Sequence, residues 1–129
     1  MERTFKLELR QPNNKFKTFT QDFVPFGKRQ EYIRLEKELE KKYKENVPEE
    51  EYARLQIEFV AGLFENEEVT PEAINNGLEA LDRDVIYEII RYRVLGFNKE
   101  DDEQLKKVMT EELLAGQNIM TINSSSSEK

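Results

Sequence analysis

The chain has 129 residues with neither cysteine nor histidine, which excludes disulfides, thiolate chemistry, the commonest general base and the commonest metal ligand. Asp and Glu outnumber Lys and Arg by 27 to 20, and the resulting net charge of −7 repels phosphate backbones, so nucleic acid is a poor partner. Charged residues make up 36% of the chain with mixed signs, the pattern of solvated helix faces and not of a disordered polyanion. Met1-Glu2-Arg3-Thr4 leads straight into an alternating pattern and lacks the apolar run of a secretory signal. No stretch approaches the roughly 20 apolar residues that span a bilayer. An intracellular protein with no membrane contact is predicted.

The first element reads as a strand. Phe5, Leu7 and Leu9 alternate with Lys6, Glu8 and Arg10, the period-two signature of a half-buried strand. Pro12-Asn13-Asn14 favours a turn, and Lys15 to Thr20 is rich in β-favouring residues. A hairpin follows. One register places Leu9 opposite Phe16 and Glu8 opposite Lys17, pairing like with like and charge with counter-charge. A shifted register stays open.

Phe23-Val24-Pro25-Phe26-Gly27 is a dense apolar connector, with Pro25 biasing Val24 toward extended geometry. Helical spacing then begins. Tyr32, Leu35, Leu39 and Tyr43, flanked by Ile33, predict a first helix from about Gly27 to Asn46. Val47-Pro48-Glu49-Glu50 breaks and restarts it. Tyr52, Leu55, Phe59, Val60, Leu63 and Phe64 give the second helix the wide apolar face of a central element. Glu65 to Val69 reads as a loop, and Thr70-Pro71 as a cap followed by proline at the first helical position. The stretch Glu72 to Leu78, interrupted by Asn75-Asn76-Gly77, predicts a brief helix or turn.

Asp82 is the expected cap of a further helix running to about Leu95, with Val85, Ile86, Ile89, Ile90 and Val94 on its apolar face and Gly96 as its stop. Phe97-Asn98-Lys99 leads to a last helix that opens on Glu100-Asp101-Asp102-Glu103, shows Leu105, Val108, Met109 and Leu113, and ends near Gly116. The predicted fold is mainly α: an N-terminal β-hairpin followed by four to five helices. Residues 1–116 form one domain, and 117–129, with Ser124 to Ser127, form a flexible, disordered C-terminal tail. There is no internal repeat.

Candidate chemistry is sparse. Glu100 to Glu103 could hold a divalent metal, but acids in a first helical turn complement the helix dipole, and the calcium-loop spacing is absent. Arg91-Tyr92-Arg93 with Lys28-Arg29 could face nucleic acid, but each basic cluster is small and set among acids. No phosphate-binding loop, dinucleotide fingerprint or nucleophile elbow occurs, and serine is confined to the tail. No catalytic, cofactor-binding or metal-ligating residue is assigned, and no enzyme activity is expected. The phenylalanines say more. Five of the eight, Phe5, Phe16, Phe19, Phe23 and Phe26, crowd the first 26 residues. Most can pack between hairpin and helices. Yet Phe16 and Phe19 have opposite parity, a helix layer covers one sheet face, and a lone hairpin has two open edges. The surplus points to a partner or a second copy of the chain.

Lys17 to Pro25, which contains Thr18-Phe19-Thr20-Gln21-Asp22-Phe23-Val24-Pro25 between a strand and a charged helix, resembles the tail assembly chaperones of long-tailed phages infecting Gram-positive bacteria. The order of elements is similar too, down to the helical run from Gly77 to Ile90. The resemblance covers roughly residues 4 to 95 and is lost after Gly96. It implies a protein of the host cytoplasm that binds the tape measure protein and covers its apolar helix faces until tail tube subunits, a further partner, polymerise around it. One small chain covers little of a long helical client, so several copies per client are expected, hence a homo-oligomer. Partner contacts are expected at Phe16, Phe19, Phe23 and Phe26, with Tyr32 and Tyr43 from the first helix. The competing reading is a small acidic regulatory adaptor that inhibits a host or phage DNA-binding protein.

Overall fold

The alternation in the first strand becomes a buried face. In the computed structural model, which describes residues 3–127 and side chains through Leu114, β1 (Phe5–Arg10) pairs antiparallel with β2 (Phe16–Gln21). Phe5, Leu7 and Leu9 are buried, and Lys6, Glu8 and Arg10 face solvent. The register differs by one residue from the one expected: Leu9 faces Lys17, Leu7 faces Phe19 and Arg10 faces Phe16. Asn14 is the cause. It adopts a left-handed conformation (φ 69°), so three residues instead of two turn the corner. Gln11 N–H donates to the Lys15 carbonyl at 2.7 Å, and Asn14 N–H to the Gln11 carbonyl at 2.8 Å. Because strand side chains alternate, this slip exchanges the faces of β2. Phe19 enters the core and Phe16 leaves it.

Residues Met1–Gly96 make up one compact unit and Phe97–Lys129 a second. In the first, α1 (Gly27–Lys42) is shorter than its predicted span, because Lys44 and Glu45 both turn left-handed and Glu45 N–H returns to the Glu40 carbonyl at 2.8 Å. Tyr32 is the buried residue of α1, edge-to-face on Phe59 with centroids 5.1 Å apart. Loss of water, then the Glu36 carboxylate, raise the titration of its hydroxyl far above the ordinary tyrosine range. Pro48 and three glutamates open α2 (Glu49–Leu63), the central helix as expected; its second half buries Phe59, Val60, Ala61 and Leu63. Two tyrosine–glutamate hydrogen bonds staple α1 to α2: Tyr43 hydroxyl to Glu51 at 3.2 Å, and Tyr52 hydroxyl to Glu40 at 3.3 Å.

Thr70 caps α3 (Pro71–Gly77), its hydroxyl accepting from Ala73 N–H at 3.0 Å with Pro71 in the first turn. Gly77 ends α3 against β1. A Cβ there would lie 2.7 Å from the Arg10 carbonyl oxygen, so only glycine permits this approach. The single helix expected from Asp82 to Leu95 is instead three pieces. Ala80–Asp82 forms a 3-10 turn, α4 spans Asp84–Glu88, and Ile89–Val94 continues it as a π-helical segment. Asp82 lies inside the 3-10 turn and caps nothing. The wider π turn keeps Ile86, Ile90 and Val94, spaced by four, on the core side together with Ile89. Gly96, at φ 82°, ends the run as expected.

In the second unit Asn98 caps α5 (Lys99–Ser127) by accepting from Glu100 N–H at 2.8 Å and Asp101 N–H at 3.2 Å. The helix passes Gly116, where the sequence reading stops it: one mid-helix glycine costs only about 1 kcal/mol, and no proline follows. The mobility predicted for 117–129 falls on residues whose side chains, from 115 onward, lie outside the described residues, as do residues 128 and 129 altogether. The architecture is therefore mainly α, with an N-terminal two-stranded hairpin and, among the described residues, five α-helices. None of the described helices is long and apolar enough to cross a membrane.

Candidate partner-binding surface

The junction between hairpin and α1 is held at three points. Gln21 is buried at the end of β2; its amide donates to the Phe23 carbonyl at 3.1 Å, and its carbonyl oxygen accepts from Glu65 N–H at 3.1 Å. The Asp22 carboxylate accepts from the Thr4 hydroxyl at 2.6 Å. The Asp22 carbonyl accepts from the Arg93 guanidinium, also at 2.6 Å, and that guanidinium stacks over Phe5 at 5.3 Å. Lys17, on the inner face of β2, pairs with Glu68 at 3.0 Å. These contacts fix the backbone that carries the next side chains.

Phe23 and Phe26 follow directly and stand out, 70% and 77% exposed. They are three residues apart on the connector, and Val24 between them is half-buried against the core. Displaying two phenyl rings on an already ordered backbone is costly in water and cheap to convert into binding, because little further ordering is needed. Phe16, 55% exposed, sits on the outer hairpin face at the far end of β2, roughly 17 Å from Gln21 along a six-residue strand.

The remaining expected contacts are placed elsewhere. Phe19 faces inward opposite Leu7 because of the register, and Tyr32 is enclosed against Phe59; both are core residues and offer a partner no surface. Tyr43 is half-buried and engaged with Glu51. The surplus of aromatic surface on the outer hairpin face reduces to Phe16, since its neighbours there are Lys6, Glu8, Arg10, Thr18 and Thr20. In the first unit two exposed apolar side chains were not singled out from the sequence: Leu81 and Tyr87. Both lie out of phase with Ile86, Ile89 and Ile90, and that was the signal available.

The small basic clusters serve internal contacts. Lys28 pairs with Glu31, Arg29 donates to the Leu95 carbonyl, and Arg93 holds Asp22. No group of three or more acidic side chains is arranged to hold a metal ion among the described residues. The acids that open α5 line its capped first turn. Between α1 and α2 runs a seam floored by Leu35, Leu39 and Leu55 and rimmed by Glu38, Lys42, Arg54 and Glu58. Tyr52 lies at the end of this helix pair, its hydroxyl titration raised by partial loss of water and by the Glu40 carboxylate.

No curated protein and no solved structure matches the chain. A family model does: it covers residues 1–112, from the hairpin and its junction into α5, and the chain belongs to the phage tail chaperone protein family.

Proposed function

We propose that this tail assembly chaperone binds the tape measure protein of a long-tailed phage in the host cytoplasm and keeps its apolar helical segments soluble until tail tube subunits assemble around it. The observation that carries the reading is the pair Phe23 and Phe26, exposed on a pinned junction that lies within the region matched by the family model. A helical client presents apolar stripes that aggregate when uncovered. Each stripe removed from water gains about 25 cal/mol per Å², and Leu35, Leu39 and Leu55 in the seam between α1 and α2 offer a second, small apolar strip. The action is holding by burial, with no nucleotide cycle, since the sequence has no phosphate-binding loop. One small chain covers little of a long helix, so several copies act together. The adaptor reading rests on the net charge alone.

Co-expression with the tape measure protein tests this. The client should move from the insoluble to the soluble fraction when the chain is present. A Phe23→Asp, Phe26→Asp double variant, whose substituted side chains lie outside the core, should fold normally and lose most of that effect. An equally insoluble client with and without the chain sinks the proposal. Full rescue by the folded double variant sinks the choice of surface.

A further inference from the structure

The two edges of the hairpin are treated differently. Gln11 N–H bonds the Lys15 carbonyl, so by antiparallel alternation the bonded pairs run through Leu9–Lys17, Leu7–Phe19 and Phe5–Gln21. The intervening residues direct their backbone groups away from the partner strand. On β1 these are Lys6, Glu8 and Arg10. Every one is charged, and the Arg10 backbone is covered by Gly77 at the end of α3. On β2 they are Phe16, Thr18 and Thr20. None is charged, and their outward N–H and C=O groups have no hydrogen-bond partner among the described residues. The strand is regular, without proline, and all three residues are exposed. Charges that blunt a sheet edge stand at all three outward positions of β1 and at none of those of β2, whose one charge, Lys17, lies on the inner face and is paired with Glu68.

We infer that β2 pairs antiparallel with β2 of a second copy of this chain about a two-fold axis at Thr18, making a four-stranded sheet. The register follows from three constraints. Outward groups must meet outward groups, so even-numbered residues face even-numbered residues. Centring on Lys17 would set two like charges directly opposite, which is unfavourable. Centring on Phe19 would carry Phe16 past the end of the partner strand. Centring on Thr18 avoids both. Thr18 then faces its own copy, Phe16 faces Thr20 of the second copy on the outer face, and Lys17 faces Phe19 on the inner face. Lys17 already lies 5.3 Å from the centroid of its own Phe19 ring, so a cation beside this ring is a contact the strand makes in any case. The interface is isologous and satisfies a row of backbone groups otherwise left to water. It gives structural form to the several copies of the proposed function and rests on that reading.

Charge placed on the axis tests the pairing on the full chain. The native chain should sediment as two chains. Thr18→Lys and Thr18→Glu, both at an exposed outer-face position, should each run as one chain with native helicity and melting temperature, and an equimolar mixture should restore the two-chain species. The chain lacks cysteine, so the register can be read directly: Thr18→Cys should oxidise to a covalent dimer, Thr20→Cys alone should not, and Phe16→Cys mixed with Thr20→Cys should. The cysteine series decides the matter if either charged variant fails to fold. A one-chain native species at all concentrations overturns the inference, as does a dimer indifferent to both charged variants, or protection of the β2 edge only when an extended client segment is added. Client solubilisation is scored separately. A folded one-chain variant that still keeps the client soluble leaves the pairing intact and removes its need for function, whereas a client insoluble with the native chain defeats the functional reading alone.

Discussion

β1 and α5 carry equally regular apolar spacing and end in opposite environments. In β1, Phe5, Leu7 and Leu9 alternate and all three are buried, Leu9 completely. In α5, Leu105, Val108, Met109 and Leu113 recur at helical spacing and all four are exposed, Leu113 at 65%. Periodicity reveals that an element has an apolar face. Whether that face is covered depends on what the rest of the chain brings to it, and the first unit lays α3 against β1 and joins the hairpin residues to those of α2 and α4 in one core.

The sharpest way to break this comparison is to truncate a covered residue. Leu9→Ala should destabilise the chain by roughly 2–5 kcal/mol in denaturant unfolding, because a fully enclosed leucine leaves a cavity as well as losing its burial. A loss below about 1 kcal/mol would mean that the hairpin face is less tightly packed than its enclosure indicates. A smaller effect comes from adding a methyl group. Gly77→Ala should cost about 1–3 kcal/mol, since the new Cβ would meet the Arg10 carbonyl at 2.7 Å and α3 would have to withdraw from β1. A neutral substitution would show that α3 can shift without loss. The smallest effect belongs to α5. We propose that residues beyond Gly116 are dispensable for folding, so a chain ending there should melt within a degree or two of the full one, in keeping with about 0.5 kcal/mol or less for surface changes. A fall of many degrees would mean that the end of α5 is covered in solution.

Much of the first unit was legible. The alternation of Phe5 to Arg10, the Thr70-Pro71 start, the glycine stop at Gly96 and the broad face of α2 are local signals, and each acts through neighbours a few residues away. The exposure of the side chains expected to meet a partner was legible in part. Phe16, Phe23 and Phe26 are exposed, but Phe19 and Tyr32 are not. The error at Phe19 traces to one backbone angle at Asn14. The signal was in the turn itself: Pro12, locked at φ of about −65°, cannot supply the positive φ that the favoured two-residue hairpin turns need at their first central position, which leaves a three-residue turn with Asn14 left-handed. Tyr32 was misplaced because a tyrosine on an amphipathic helix can lie at the rim or inside, and only the arrival of Phe59 decides between them.

By itself the sequence determined most element types, the absence of histidine and cysteine chemistry, and a junction from Lys17 to Pro25 specific enough to point to tail chaperones, the family established by the match over residues 1–112. These rest on composition and short-range order, which need no knowledge of distant contacts. The tertiary structure alone decided the break of the Asp82–Leu95 run into a 3-10 turn, α4 and a π segment, the pinning of the junction by Gln21, Glu65 and Arg93, and the contrast between a guarded β1 edge and an open β2 edge. Each of these joins residues far apart in the chain or turns on a choice between near-equal local conformations, and packing energy selects among such alternatives only once the whole unit has assembled.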